Sequence, residues 1–142
     1  MTFLDAYAII ALVADEPAAS DVETLLRNGG AALTTINLAE AVDVARRVHV
    51  LSEGDVREAV EPLFGEVIAI AEPTETQAWR AADIRMRHYH RRTCPLSLAD
   101  SFLIASAGPD DRIATADPPV AQVARAEGLG VVPLPDTAGQ RP

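Results

Sequence analysis

Four of the chain's 21 acids stand where oxygen-based chemistry could be assembled. Asp5 follows the short run Thr2-Phe3-Leu4, and Asp117 follows Ile113-Ala114-Thr115-Ala116, so two candidate strands end in an aspartate. Asn37-Leu38-Ala39-Glu40 and Ser97-Leu98-Ala99-Asp100 each open a candidate helix with a carboxylate in its first turn. Taken singly, each acid also fits a helix cap. Asn37 with Glu40 and Ser97 with Asp100 have capping-box spacing, the second less well because aspartate is shorter. Asp5 and Asp117 suit N-cap positions, Asp117 with Pro118 as the first helical residue.

The charge pattern separates these acids from ordinary surface pairs. Glu40 has Ile36, Asn37, Asp43 and Val44 at the three- and four-residue offsets, so no cation supports it. Asp100 has only Leu96, Ser97, Leu103 and Ile104 there. Asp43, by contrast, has Arg46 and Arg47 at those offsets and Asp83 has Arg87, which is plain surface pairing. Were the four unpaired acids to meet, two neighbours 4 Å apart would repel by ~1 kcal/mol in water and ~4 kcal/mol at an effective dielectric near 20. Helix N-termini offset part of that, ~0.3–1 kcal/mol each. A divalent cation offsets more, and an all-oxygen site suits Mg²⁺ or Mn²⁺ rather than zinc.

The elements that must bring these acids together alternate along the chain. Strands are expected at Thr2-Phe3-Leu4, at Ala32 to Thr34, from Glu66 to Ile70, from Arg112 to Thr115 and from Val131 to Leu134. Helices are expected from about Ala6 to Ala14, from Asp21 to Asn28, from Leu38, from Asp55 to Phe64, from Glu75 to Arg91, from Leu98 to Ala107 and from Val120 to Glu127. The pattern predicts an α/β fold in which a central parallel sheet of four to five strands is covered by helices on both faces. Ligands in such folds sit beyond the carboxyl ends of the strands, where Asp5 and Asp117 fall. On the long helix, Trp79, Ala82, Met86 and Tyr89 form one stripe, read as facing the core.

Composition narrows the chemistry. At 142 residues the chain suits one domain, and 26 alanines against 4% aromatic residues favour packed helices. The single cysteine, Cys94, excludes an internal disulfide and fits a small buried residue in a reducing compartment. All 12 basic residues are arginines; with no lysine there is no P-loop lysine and no Schiff base. No glycine-flanked serine elbow or dinucleotide-binding turn occurs. His88 and His90 are two residues apart, on different sides of a helix, and His49 is remote, so no zinc pair is expected. The apolar run from Ala6 to Ala14 is too short to span a bilayer and lacks the positive flank of a signal peptide, so a soluble, cytoplasmic protein is expected. A net charge of −9 argues against coating nucleic acid through bulk charge. Between Arg80 and Arg92, however, five arginines face one acid, Asp83, which reads equally as a phosphate track or as a solvated helix face.

With these residues in place, the sequence resembles a PIN-domain ribonuclease, in particular the VapC type of toxin from bacterial toxin–antitoxin pairs. The likeness runs from about Thr2 to Leu134 and rests on the order of Asp5, Glu40, Asp100 and Asp117. It departs at Tyr7, where the family often has a small hydroxyl residue, and at Pro118-Pro119, which stiffen a loop. The resemblance implies a three-layer α/β/α nuclease domain over residues 1–135, with 136–142 as a flexible tail. It implies Mg²⁺ or Mn²⁺ held by Asp5, Asp100 and Asp117, with Glu40 a further ligand or the orienter of a water that attacks the RNA phosphodiester in line. Thr115 would support Asp117 from behind, and Arg87, Arg91 and Arg92 would contact RNA. A VapB-like antitoxin and a homodimer are implied as well. Two rivals remain at this stage. One is a non-catalytic module with the same fold. The other is a phosphatase using Asp5 as nucleophile, whose usual second aspartate would fall at Tyr7 and whose lysine is missing.

Overall fold

Side-chain alternation along five short strands divides the apolar residues between two faces of a sheet. In the computed structural model, which describes residues 1–142, the strands are β1 (Thr2–Leu4), β2 (Ala31–Thr34), β3 (Ile68–Ala71), β4 (Arg112–Thr115) and β5 (Gly130–Pro133). Leu4, Ala31, Leu33, Ile68 and Ala114 point into one core, shared with α1 (Ala6–Ala14), α2 (Ala19–Asn28), α3 (Thr35–Val48) and α4 (Glu53–Val60). Phe3, Ala32 and Ile113 point into the other, shared with α5 (Glu75–His88), α6 (Leu98–Ser106) and α7 (Pro118–Ala126). The result is a mixed α/β fold, a central parallel five-stranded sheet between two helical layers.

The strand order is β3-β2-β1-β4-β5, with every neighbouring pair parallel. The chain builds outward from β1 to β3, then returns to lay β4 on the other side of β1. That reversal makes β1 and β4 the topological switch point, and the crevice beyond their carboxyl ends is where such sheets bind ligands. Asp5 is the residue after β1, and its amide donates to the Ala114 carbonyl of β4 at 3.0 Å.

Three expectations about α3 and α5 change. α3 starts at Thr35 rather than Leu38, because Thr34, still extended at the end of β2, accepts the Asn37 amide on its hydroxyl at 3.0 Å. Thr34 is thus the cap; Asn37 and Glu40 form no capping box. α5 stops at His88 because Tyr89 turns extended and residues 90–94 close a tight turn. There His90 Nδ1 accepts from the Arg92 and Thr93 amides, each at 3.3 Å.

The third change concerns which side of α5 is buried. Ala81 and Ile84 are fully inside, whereas Trp79, Met86 and Tyr89 are 73%, 82% and 43% exposed. α5 lies over α6 rather than on the sheet, and Arg80 binds the Ala105 and Ala107 carbonyls at the end of α6, at 3.2 and 2.8 Å. With Ala81 and Ile84 turned inward and Arg80 holding the end of α6, the stripe of Trp79, Met86 and Tyr89 lies on another side of the helix and faces outward. Within residues 136–142, expected as a flexible tail, Arg141 contacts the body. Arg141 donates to the Pro133 carbonyl at 2.6 Å and lies 2.7 Å from the Asp21 carboxylate, a contact of charges rather than an aligned hydrogen bond. No helix is long and apolar enough to cross a membrane.

Candidate metal centre

Each acid reaches the sheet edge by a different local device. Asp5 and Asp117 occupy the N-cap positions of α1 and α7, but neither uses its side chain to cap. Pro118 at the start of α7 has no amide to satisfy, which removes one reason for Asp117 to turn inward. Asp100 does cap. Its Oδ2 accepts the Ser97 amide at 2.7 Å while Ser97 Oγ accepts the Asp100 amide at 3.0 Å, so this capping box forms despite the shorter aspartate. Glu40 lies one turn beyond Asn37 on α3, free of any ion pair.

Carboxylate oxygens of Asp5, Glu40 and Asp100 lie within 4.8 Å of one another. Asp117 is outside that triad, exposed at its rim, yet close enough to raise the proton affinity of Glu40. Three anions at such spacing repel by several kcal/mol at an intermediate dielectric, and no arginine pairs with them. The cost appears as proton uptake. Burial, then the Asp100 charge, push the Asp5 carboxyl up to about 7, with a smaller contribution from Glu40. Glu40 is raised by burial, then by Asp100, Asp43 and Asp117; Asp117 is raised by burial and Asp100.

Thr115 links two of the strand ends. Its hydroxyl donates to Asp5 Oδ2 at 2.6 Å and accepts the Asp117 amide at 3.0 Å. It therefore supports the Asp5 carboxylate, not that of Asp117 as expected, and fixes Asp117 through the backbone. Six of the seven buried polar side chains, Asp5, Thr34, Asn37, Asp100, Ser101 and Thr115, belong to this edge; only Thr2 lies at the other end of its strand. Such clustering sets the edge apart from the core. Thr34 and Asn37 were not expected here as part of a polar network: the Thr34 hydroxyl donates to Asn37 Oδ1, while Asn37 Nδ2 is buried without a partner. Nothing in their residue types marks them as buried; only their position beside β1 does.

Three arginines of the basic stretch are committed to contacts within the fold. Arg80 is committed to α6, Arg85 to the Leu96 carbonyl and the Tyr89 ring, and Arg87 to Asp83 and Glu127 at 2.8 and 2.6 Å. Arg87, expected at RNA, thus serves to tie α5 to the end of α7, and the pairing holds Glu127 down to about 2. Arg91 and Arg92 remain unpaired, exposed on the turn after α5. That turn ends at Cys94, whose thiol is pushed up by burial and, to a smaller degree, by Asp117 and Asp100, so it adjoins the acids. The Tyr7 hydroxyl instead lies near Glu16 and Asp136.

A parallel sheet ordered 3-2-1-4-5 with acids gathered at its switch point defines a class, and sequence comparison agrees: the PIN domain matches residues 2–129, and the chain belongs to that family. Its structural relatives are more particular. FitAcB from Neisseria gonorrhoeae superposes with a TM-score of 0.61 at 21% identity, DNA-bound VapBC from Salmonella typhimurium with 0.68 at 17%, and DNA-bound VapBC2 from Rickettsia felis with 0.60 at 14%. In each case 92% of this chain and 96% of the other are covered. No curated protein matches the chain by sequence.

Proposed function

We propose that this chain is a divalent-metal-dependent endoribonuclease that acts as the toxin of a VapC-type toxin–antitoxin pair. The observation that carries the reading is the convergence of Asp5, Glu40 and Asp100 without any compensating side-chain cation. The donor set fits a hard cation. Oxygens sharing one Mg²⁺ sit ~3–4 Å apart, given its ~2.0–2.1 Å bonds, so the spacing here requires little contraction. Asp5, Glu40 and Asp100 would hold Mg²⁺ or Mn²⁺, with Asp117 joining from the rim. A bound cation supplies Lewis acidity and neutralises charge on a phosphodiester.

The chain's own groups supply the rest. Thr115 orients Asp5, the Ser97 capping box anchors Asp100 by one oxygen, and Asp117 stands where it can accept a proton or orient a water at the mouth. Arg91 and Arg92, exposed on the turn that ends at Cys94, would take RNA phosphate, as arginine does through paired donors. Membership in the PIN family and the likeness to chains from VapBC and FitAcB complexes support an antitoxin partner, and the homodimer stays with the reading as what the family resemblance implies.

Incubation of the purified chain with RNA and Mg²⁺ or Mn²⁺ is expected to give cleavage that EDTA abolishes and that Asp100→Asn reduces at least 100-fold. Asparagine retains the cap acceptor, so the loss would reflect the carboxylate. Metal-independent cleavage, or full activity in the variant, would remove the metal-dependent reading.

A further inference from the structure

Of the three acids that converge, two have a fixed partner. The Thr115 hydroxyl donates to Asp5, and the Ser97 amide donates to Asp100. Glu40 has none: half-buried on α3, its carboxylate accepts no hydrogen bond and joins no ion pair. Carboxylates that ligate metals are as a rule hydrogen-bonded from behind, because the second partner keeps the ligating oxygen aimed at the ion. One turn earlier on the same helix, Asn37 has the opposite defect. Its side chain is fully buried, its amide donates to Thr34 Oγ1 at 3.0 Å, and its Oδ1 accepts the Thr34 hydroxyl at 2.5 Å, so the carboxamide is clamped. Nδ2 is then shut away from solvent with no acceptor, the only buried side-chain nitrogen in the chain without a partner. Buried donors left in that state are rare.

We propose that Asn37 is the positioning residue of Glu40, its Nδ2 donating to one Glu40 carboxylate oxygen so that the other is presented to the shared cation. The inference rests on the metal-dependent reading above. Residues three apart on a helix are neighbours, with ~5–6 Å between Cβ atoms, a gap that an amide and a carboxylate can close. In the metal-free structure the two groups are not bonded. Glu40 is the one able to move, since its side chain is longer and partly exposed while Thr34 holds Asn37. The Asp100 charge is the strongest acting on Glu40 and resists its approach to the triad; a divalent cation between them cancels that repulsion. A neutral carboxamide suits the post. It orients a carboxylate without supplying the positive charge that an arginine would, and so does not compete with the ion. Thr34 serves the site at one further remove, by fixing Asn37.

Calorimetric titration of the full chain with Mn²⁺ tests the assignment. Asn37→Leu keeps much of the side-chain volume and removes the donor, and is expected to weaken Mn²⁺ binding by about 10–100-fold. In a Glu40→Ala chain the same substitution should change the affinity by less than about twofold, because the residue it acts through is gone. An equal loss in both backgrounds would make Asn37 a structural residue and overturn the proposal, as would wild-type affinity in Asn37→Leu. A second readout needs no substitution at Asn37. In nitrogen-edited NMR spectra, an Asn37 side-chain amide proton is expected to move downfield when Mg²⁺ is added to the wild type and to stay in place in Glu40→Ala. An Asn37 signal indifferent to Mg²⁺, in a wild type that binds the ion, would overturn the proposal while leaving the metal centre standing. A wild type that binds neither ion would remove the metal centre itself and the role of Asn37 with it.

Discussion

Asp5 is 6% exposed, lies beside two other carboxylates and has one hydrogen-bond donor in Thr115. Its carboxyl, ordinarily at 3.8, is held near 7, so the folded metal-free chain binds a proton there that the unfolded chain releases. The sign follows: this contribution to stability is complete below about pH 4 and is lost as pH climbs through 7, up to about 4 kcal/mol. Asp5→Asn is therefore expected to melt higher than wild type at pH 8 in EDTA and to lose that advantage at pH 4.5. Mg²⁺ at pH 8 should raise the wild-type melting temperature by mass action and leave the variant unmoved. Equal melting curves at both pH values would show that Asp5 does not carry the strain. Thr115→Val removes the donor to Asp5 and the acceptor of the Asp117 amide together. Weakening of Mn²⁺ binding by 10–100-fold is expected by calorimetric titration, as is usual when the group behind a ligand is lost. Affinity within twofold of wild type would mean that Asp5 is oriented by something else.

At the scale of elements, the end of α5 decides which arginines are free. Had the helix run on to Arg91, as its composition predicts, Arg87 and Arg91 would share a helical face. The extended Tyr89 and the turn capped by His90 place Arg91 and Arg92 apart from it, while Arg87 bridges to α7. Double charge reversal, Arg91→Glu with Arg92→Glu, should weaken RNA binding and reduce the slope of log affinity against log salt by about 1.4, at ~0.7 per contact on a single strand. Arg87→Gln should leave that slope alone and instead lower the melting temperature by a few degrees, corresponding to ~1 kcal/mol in a chain of this size. A slope change in Arg87→Gln would put that residue back on the RNA.

The whole molecule carries a net charge of −9, and three of its acids, Asp5, Glu40 and Asp100, gather at one edge of the sheet with no ion pair. Far from chemistry, the C-terminal segment is fastened by Arg141 to Pro133 and Asp21, both partly exposed. Pairs of that kind contribute ~0–1 kcal/mol. Arg141→Ala should accordingly shift the melting temperature by no more than a few degrees and leave RNA cleavage at the wild-type rate. A loss of cleavage would show that the segment reaches the site through the fold.

Strand and helix identities, the parallel sheet and the acids Asp5, Glu40 and Asp100 were legible in the amino-acid order, because alternation, helical period and missing charge partners are all local properties. Capping at Ser97–Asp100 was equally local, and it formed as its spacing predicts. What the order of residues left open was each choice between two faces or two partners. Trp79, Met86 and Tyr89 are as apolar as any core stripe; only the seating of α5 on α6 through Ala81 turned them outward. Thr115 could have served either aspartate, and the neighbouring positions of β1 and β4 gave it to Asp5. The same holds for Thr34 and Asn37, buried because β2 abuts β1. A residue's type sets which bonds it can make, but distance in space selects among them, and that distance exists only once the strands have paired.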